Sequence, residues 1–131
     1  MSMDNILVPV SPGELLDKIT ILEIKSERIS DPEKVANVRI ELELLRGTWS
    51  EAVEEDDVIR TLHSELKDIN ETLWKIEDDI RDRERTGEFD TRFIELARAV
   101  YITNDRRSGI KKKLNLHLGS RIIEEKSYQD Y

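Results

Sequence analysis

The chain has no cysteine, which excludes a disulfide framework, a thiolate metal site and a cysteine nucleophile. Glycine and proline are scarce, at 5 and 3 residues in 131, so a loop-rich or low-complexity architecture does not fit. No apolar run approaches the roughly 20 residues of a membrane span. The opening MSMDNILVPV has neither a basic region nor a long apolar one. That argues against a signal peptide and for a cytoplasmic protein with no membrane contact. The two histidines, His63 and His117, fall in no metal-ligand pattern, so neither a metal nor a cofactor is expected. A glycine-rich phosphate loop and a Ser-His-Asp arrangement are both missing.

Charge and helix-forming residues dominate instead. Charged side chains make up 38% of the chain and hydrophobic ones 37%, a thin core under a heavily charged surface. The length suits one domain over residues 1–131, large enough to bury a core without staples. The net charge of −8 argues against general nucleic-acid binding, because phosphate contacts need excess Lys and Arg. The charge is also uneven. Residues 31–90 carry 19 acidic and 9 basic side chains, and residues 98–121 carry seven basic and one acidic. An acidic body with a basic end could orient a small anion or pair two copies head to tail. A solvated, lysine-rich helix end that suits the helix dipole is the alternative.

Hydrophobic spacing divides the chain into four helices. Residues 5–10, NILVPV, read as an extended lead-in with edge-strand character. Ser11-Pro12-Gly13-Glu14 is a helix start, with Ser at the N-cap, Pro in the first turn and Glu three residues after the cap. Helix one then runs to about Ile29. Leu15, Leu16, Ile19, Leu22 and Ile29 form one stripe, and Ile21 and Ile24 lie nearly opposite. A helix apolar on two faces is central in a bundle or sits at a subunit interface. Asp31-Pro32 opens helix two, whose Val35, Val38, Leu42 and Leu45 precede Gly47 at the C′ position, with 48–57 as an acidic connection. Leu62, Leu66, Ile69, Leu73, Ile76 and Ile80 alternate by four and three along helix three, from about Asp57 to Arg85 and roughly 45 Å long. Thr86-Gly87 stops it. Asp90 caps helix four, with Phe89 and Ile94 placed as a hydrophobic staple, and Gly119-Ser120 ends it before a short tail. The fold expected is all-α, an antiparallel bundle of about four helices with a long central hairpin. The stripes on helices three and one suggest a homodimer, unless helices one, two and four cover both stripes in a monomer.

Helix four carries the strongest candidate site. Wound at about 100° per residue, Phe93, Leu96, Ala97, Val100 and Tyr101 share one arc. Further on, the same arc receives Asn104, Arg107, Ser108, Lys111 and Asn115. Either the helix leaves the core after Tyr101, or its second half lines a polar, cationic cavity, since burying such groups costs several kcal/mol without partners. Arg107 and Lys111 project from one side, and Tyr101 closes the apolar end. Arg offers a bidentate fork, Lys a point charge and Asn an orienting amide, a set suited to a carboxylate, phosphate or sugar phosphate. Ion pairing with helix three, through Glu77 or Glu84, is the structural alternative. On helix one, Asp17 and Lys18 could complete the pocket, although such residues are more often rim charges. Trp74 lies off the helix-three stripe, a pointer to a second interface.

The strings ILVPVSPGELLDKITILEIKSERI at 6–29, FIELARAVYITNDRRSGIKKKLN at 93–115 and GSRIIEEKSY at 119–128 resemble a family of small, all-helical bacterial and phage proteins of unknown function. Its members are often encoded near glycosyltransferase and other surface-polysaccharide genes. The resemblance implies no activity, cofactor or catalytic residue; it directs attention to sugar-nucleotide or envelope-polysaccharide metabolism. Arg107, Lys111 and Arg121 also look loosely like the clamp with which helical chorismate mutases hold a dicarboxylate, although their further arginines and Gln or Glu have no counterpart here. Three readings follow. The first is a binding or accessory module holding a small anion or acidic partner through Tyr101, Asn104, Arg107, Ser108, Lys111, Arg121 and Lys18. The second is a chorismate-mutase-like enzyme on the same pocket, and the third a purely structural interaction module.

Overall fold

A computed structural model describes residues 4–131. It contains four helices: α1 (Pro12–Arg28), α2 (Pro32–Ala52), α3 (Asp57–Thr86) and α4 (Thr91–His117). Each start has a side-chain cap. Ser11, Asp31, Asp56 and Asp90 accept from backbone N–H groups of the following first turns. Residues 5–10 are exposed and without regular secondary structure, and no strand occurs among the described residues, so the lead-in is not an edge strand. Met1–Met3, part of the stretch read for a leader, lie outside the described residues. No described helix is long and apolar enough to cross a membrane.

The bundle is organised around α1, which packs against each of the other three helices. This accounts for its two apolar faces: Leu16, Ile19, Leu22 and Ile24 are all buried within one chain. The α3 stripe is covered in the same way, with Ile59, Leu62, Leu66, Leu73 and Ile76 buried. Helices α3 and α4 form the long hairpin. Gly87 turns it at φ 70°, where glycine has no Cβ penalty, and Glu88 N–H closes the α3 end on the Arg83 carbonyl at 2.9 Å.

Helix two runs further than its spacing predicts. It passes through Gly47 and ends at Ala52, so 48–52 is helix rather than connection. Trp49 explains this: its ring is buried in the main core beside Leu42, and its Nε1–H donates to Glu55 at 3.0 Å. That anchoring offsets the roughly 1 kcal/mol that a glycine costs in a helix interior. The staple before α4 is also different. Phe89 and Ile94 are both exposed, and Phe89 packs edge-on against Phe93, with ring centroids 5.2 Å apart.

The buried face of α4 runs through Leu96, Thr103, Ile110 and Leu114, and it stays buried to the end of the helix. Lys111 and Asn115 are buried as well, at 8% and 1% exposure. The helix therefore keeps its polar half against the bundle. Tyr101 is the exception to the expected arc. It sits about 140° around the helix from Leu96, is 42% exposed, and meets the ring of Tyr131 in the tail.

Candidate functional site

The site begins with a close crossing of two backbones. A Cβ on Gly13 would lie 2.6 Å from the Lys111 carbonyl oxygen and 2.9 Å from Asn115 Oδ1, so only glycine fits there. Gly13 N–H, in the first turn of α1, is one of the donors that a helix start leaves without an internal partner. It donates to Asn115 Oδ1 of α4 at 2.7 Å. The next N–H, of Glu14, goes to Ser11 Oγ at 3.2 Å. The crossing sets Glu14 against Lys111, and Asp17, one turn further along, against Arg107.

Arg107 meets Asp17 with one edge of its guanidinium. Nε donates to Oδ1 at 2.8 Å and Nη2 donates to Oδ2. The remaining nitrogen, Nη1, has a long contact of 3.4 Å to Asn104 Oδ1. Asp17 itself is buried, at 1% exposure. Its Oδ1 also accepts from Asn70 Nδ2 of α3 at 2.9 Å. The same amide donates to Thr20 Oγ1 at 2.9 Å, and that hydroxyl donates to the Asp17 carbonyl at 2.7 Å. Three helices are thereby joined by one polar cluster. No buried side-chain nitrogen or oxygen lacks a partner among the described residues. Completeness of this kind keeps a buried ion pair from costing stability.

A second cation sits beside the first. Lys111 Nζ donates to Glu14 at 2.7 Å and to Glu124 at 2.9 Å. Glu124 lies in the tail, which the end of α4 folds back. Gly119 takes φ 66°, and Ser120 N–H returns to the Asn115 carbonyl at 2.8 Å. Burial works against the Lys111 ammonium, but its bonds to Glu14 and Glu124 outweigh that and raise its pKa above the ordinary lysine value. The bond from Lys111 in turn holds the Glu124 carboxyl below its usual range. For Arg107 the bond to Asp17 dominates burial and pushes the guanidinium further up.

Not all of the residues expected at the site converge. Arg107, Asn104 and Lys111 come together with Asn115, and Ser108 is half-buried nearby on the same helix. Their partners come from α1 and the tail rather than from Glu77 or Glu84 of α3. Lys18 is exposed and pairs with Glu41 of α2 at 3.4 Å, yet it lines a groove with Arg107. Tyr101 faces outward. Arg121 is exposed on the tail and forms no ion pair among the described residues, so Arg107, Lys111 and Arg121 do not make a common clamp. Asp17, weighed with Lys18 as completing the pocket, is part of the cluster, whereas Asn70, Thr20 and Gly13 have no place in the sequence reading of the site. Asn70 had a signal: it falls inside the α3 stripe, four residues after Leu66 and three before Leu73.

Two grooves meet at Arg107. One, of about 390 Å³, runs between Glu14, Lys18, Lys25 and Glu41. The other, of about 460 Å³, runs along Ile24, Leu73, Trp74 and Asn104. Ile21 and Arg107 line both. The described residues hold no cluster of three or more acidic or histidine side chains placed to bind a metal.

The model of DUF6165, a family of unknown function, matches residues 6–131. The chain belongs to this family. No curated protein matches it, and no solved structure does. The family match takes in the Gly13 crossing, the Asp17–Arg107 pair and the Lys111 cluster.

Proposed function

We propose that the chain is a binding module that receives a small anion in the groove beside Lys18, Lys25 and Arg107. The pairing of charges around that groove carries the reading. Its carboxylates are already engaged: Asp17 by Arg107, Glu14 by Lys111 and Glu41 by Lys18. Its cations have capacity left over. Lys25 forms no ion pair among the described residues, and the outer edge of Arg107 holds only the long contact to Asn104. Asp17 fixes the guanidinium from behind, and a pre-oriented fork loses little entropy on meeting a carboxylate or phosphate. Sugar phosphates as ligands belong to this proposal on the strength of the gene neighbourhood that the resemblance implies, and a cytoplasmic setting is proposed with them.

Titration with inorganic phosphate and benzoate, followed by NMR at the Arg107 Nε–H, tests it. Saturable shifts are expected, and Lys25→Gln should weaken binding about fivefold, equivalent to about 1 kcal/mol. Absence of any saturable shift, or unchanged affinity in Lys25→Gln, removes the proposal.

A second reading, a protein-interaction module that includes the homodimer, draws support from exposed apolar residues. Ile40 and Leu44, one turn apart on α2, are 69% and 54% exposed. Sedimentation of the wild type and of Leu44→Glu tests the homodimer: a dimer that the substitution dissociates supports the interface, and a monomer at all concentrations removes the homodimer.

A further inference from the structure

The groove on the other side of Arg107 says what the rest of the ligand looks like, provided the anion site just proposed is real. We infer that the anionic group is carried on a flat, largely apolar ring whose far edge bears an ammonium or similar hydrogen-bond donor. The order of side chains along α3 points this way. Asn70 and Arg107 share the Asp17 carboxylate, so Asn70 marks the anion end. One turn on, Leu73 and Trp74 form an apolar wall, facing Ile21 and Ile24 of α1 across the groove. A further turn on, the rim carries Glu77, Asp78 and Arg81, and because Arg81 pairs with Glu77 the charge left over there is that of Asp78. At 1.5 Å per residue the anion end and the acidic end lie on the order of 10 Å apart, the span of one ring with a short polar arm at each side.

Two details favour a ligand over a merely solvated surface. The first concerns the tryptophans. Trp49 is buried and its indole N–H is bonded to Glu55, whereas the half-buried Trp74 has no side-chain hydrogen bond among the described residues. An indole with a free donor on an apolar wall is a stacking platform with one polar handle. The second concerns the rim. Glu77 is taken by Arg81 one turn along, and Asp78 forms no ion pair among the described residues. The groove therefore runs from an anchored cation, across an aromatic wall, to an unengaged carboxylate, and its complement is a zwitterion with a ring between its charges.

The test uses three probes on the wild-type protein: benzoate, benzylamine and 4-(aminomethyl)benzoate. The zwitterion is expected to bind about tenfold more tightly than benzoate. It should shift the indole N–H of Trp74 while that of Trp49 stays still. Asp78→Asn, an exposed change, should erase the gain and leave benzoate affinity as it was. If benzoate shifts the Arg107 Nε–H but the zwitterion binds no better or leaves Trp74 unmoved, this inference falls and the anion site stands. If no probe produces a saturable shift, both fall together.

Discussion

Asp17 and Arg107 lie 90 positions apart in the chain and meet edge to edge, with the carboxylate buried and the guanidinium reaching it from the groove. Neither group would be tolerated there alone. A carboxylate at this depth needs a partner, and Asn70 supplies only a neutral amide. Arg107→Ala should destabilise the fold by about 2–4 kcal/mol, because it leaves the buried Asp17 carboxylate without its cation, with some relief from water entering the space that the half-buried arginine vacates. Asp17→Ala should cost a similar amount, and the double variant much less than the sum. Urea denaturation of the four proteins measures this. Strict additivity would show that the pair is not coupled.

Two glycines should respond to alanine with opposite signs. Gly13→Ala places a methyl group against the Lys111 carbonyl and should destabilise by about 1–3 kcal/mol. Gly47 lies in a helix interior with nothing within 4 Å of a built Cβ. Gly47→Ala should stabilise by up to about 1 kcal/mol. Midpoints from thermal melts of the two variants settle the matter, and a neutral Gly13→Ala would mean that the helices separate at that crossing without penalty.

Stability should fall off at both ends of the pH scale. Glu23 of α1 reaches two other helices: it accepts from Arg46 of α2 at 3.2 Å and bonds His63 of α3 at 2.9 Å. Burial pushes its carboxyl up, but the bond and charge of His63, with help from Lys67 and Arg46, bring it below the ordinary 4.5. Glu124 is lowered too, by Lys111. For a carboxylate lowered in the folded state the stabilisation is complete above its unfolded value and disappears as pH falls through the folded one. Lys111 and Lys67 are raised above 10.5, so their contribution is complete below that value and disappears as pH rises through the folded one. Melting midpoints should plateau between about pH 5 and 10 and decline outside that range. Glu23→Gln should shrink the acid decline, and an acid limb of unchanged size in that variant would take Glu23 out of the explanation.

That Lys111 and Asn115 share an arc with the apolar first half of α4 was legible from helical winding, but whether the helix keeps that arc against the bundle or leaves the core after Tyr101 was not. The arc that holds Leu96 carries those two positions, and nothing between them breaks the helix. What they touch was not legible. Glu14 and Asp17 resemble rim charges on α1 until the register of α1 against α4 is known, and Gly13 sets that register through a contact between backbones. The Tyr101 error has a local cause. A cluster of apolar residues defines an arc only to within about one residue's rotation, and here the buried centre lies toward Thr103 instead. The run of α2 past Gly47 depended on where the Trp49 ring finds a partner, which is a property of the assembled core.

The Gly13–Asn115 hydrogen bond spans 102 positions. Ser11 closes the rest of the first turn of α1 locally, but the Gly13 N–H waits for the last helix to find its partner. During synthesis the chain must carry a central helix that packs against α2, α3 and α4 and whose cover is incomplete until α4 has emerged. Nascent chains that end before α4 should thus be the ones that engage folding helpers, and the backbone crossing at Gly13 marks the point at which that dependence ends.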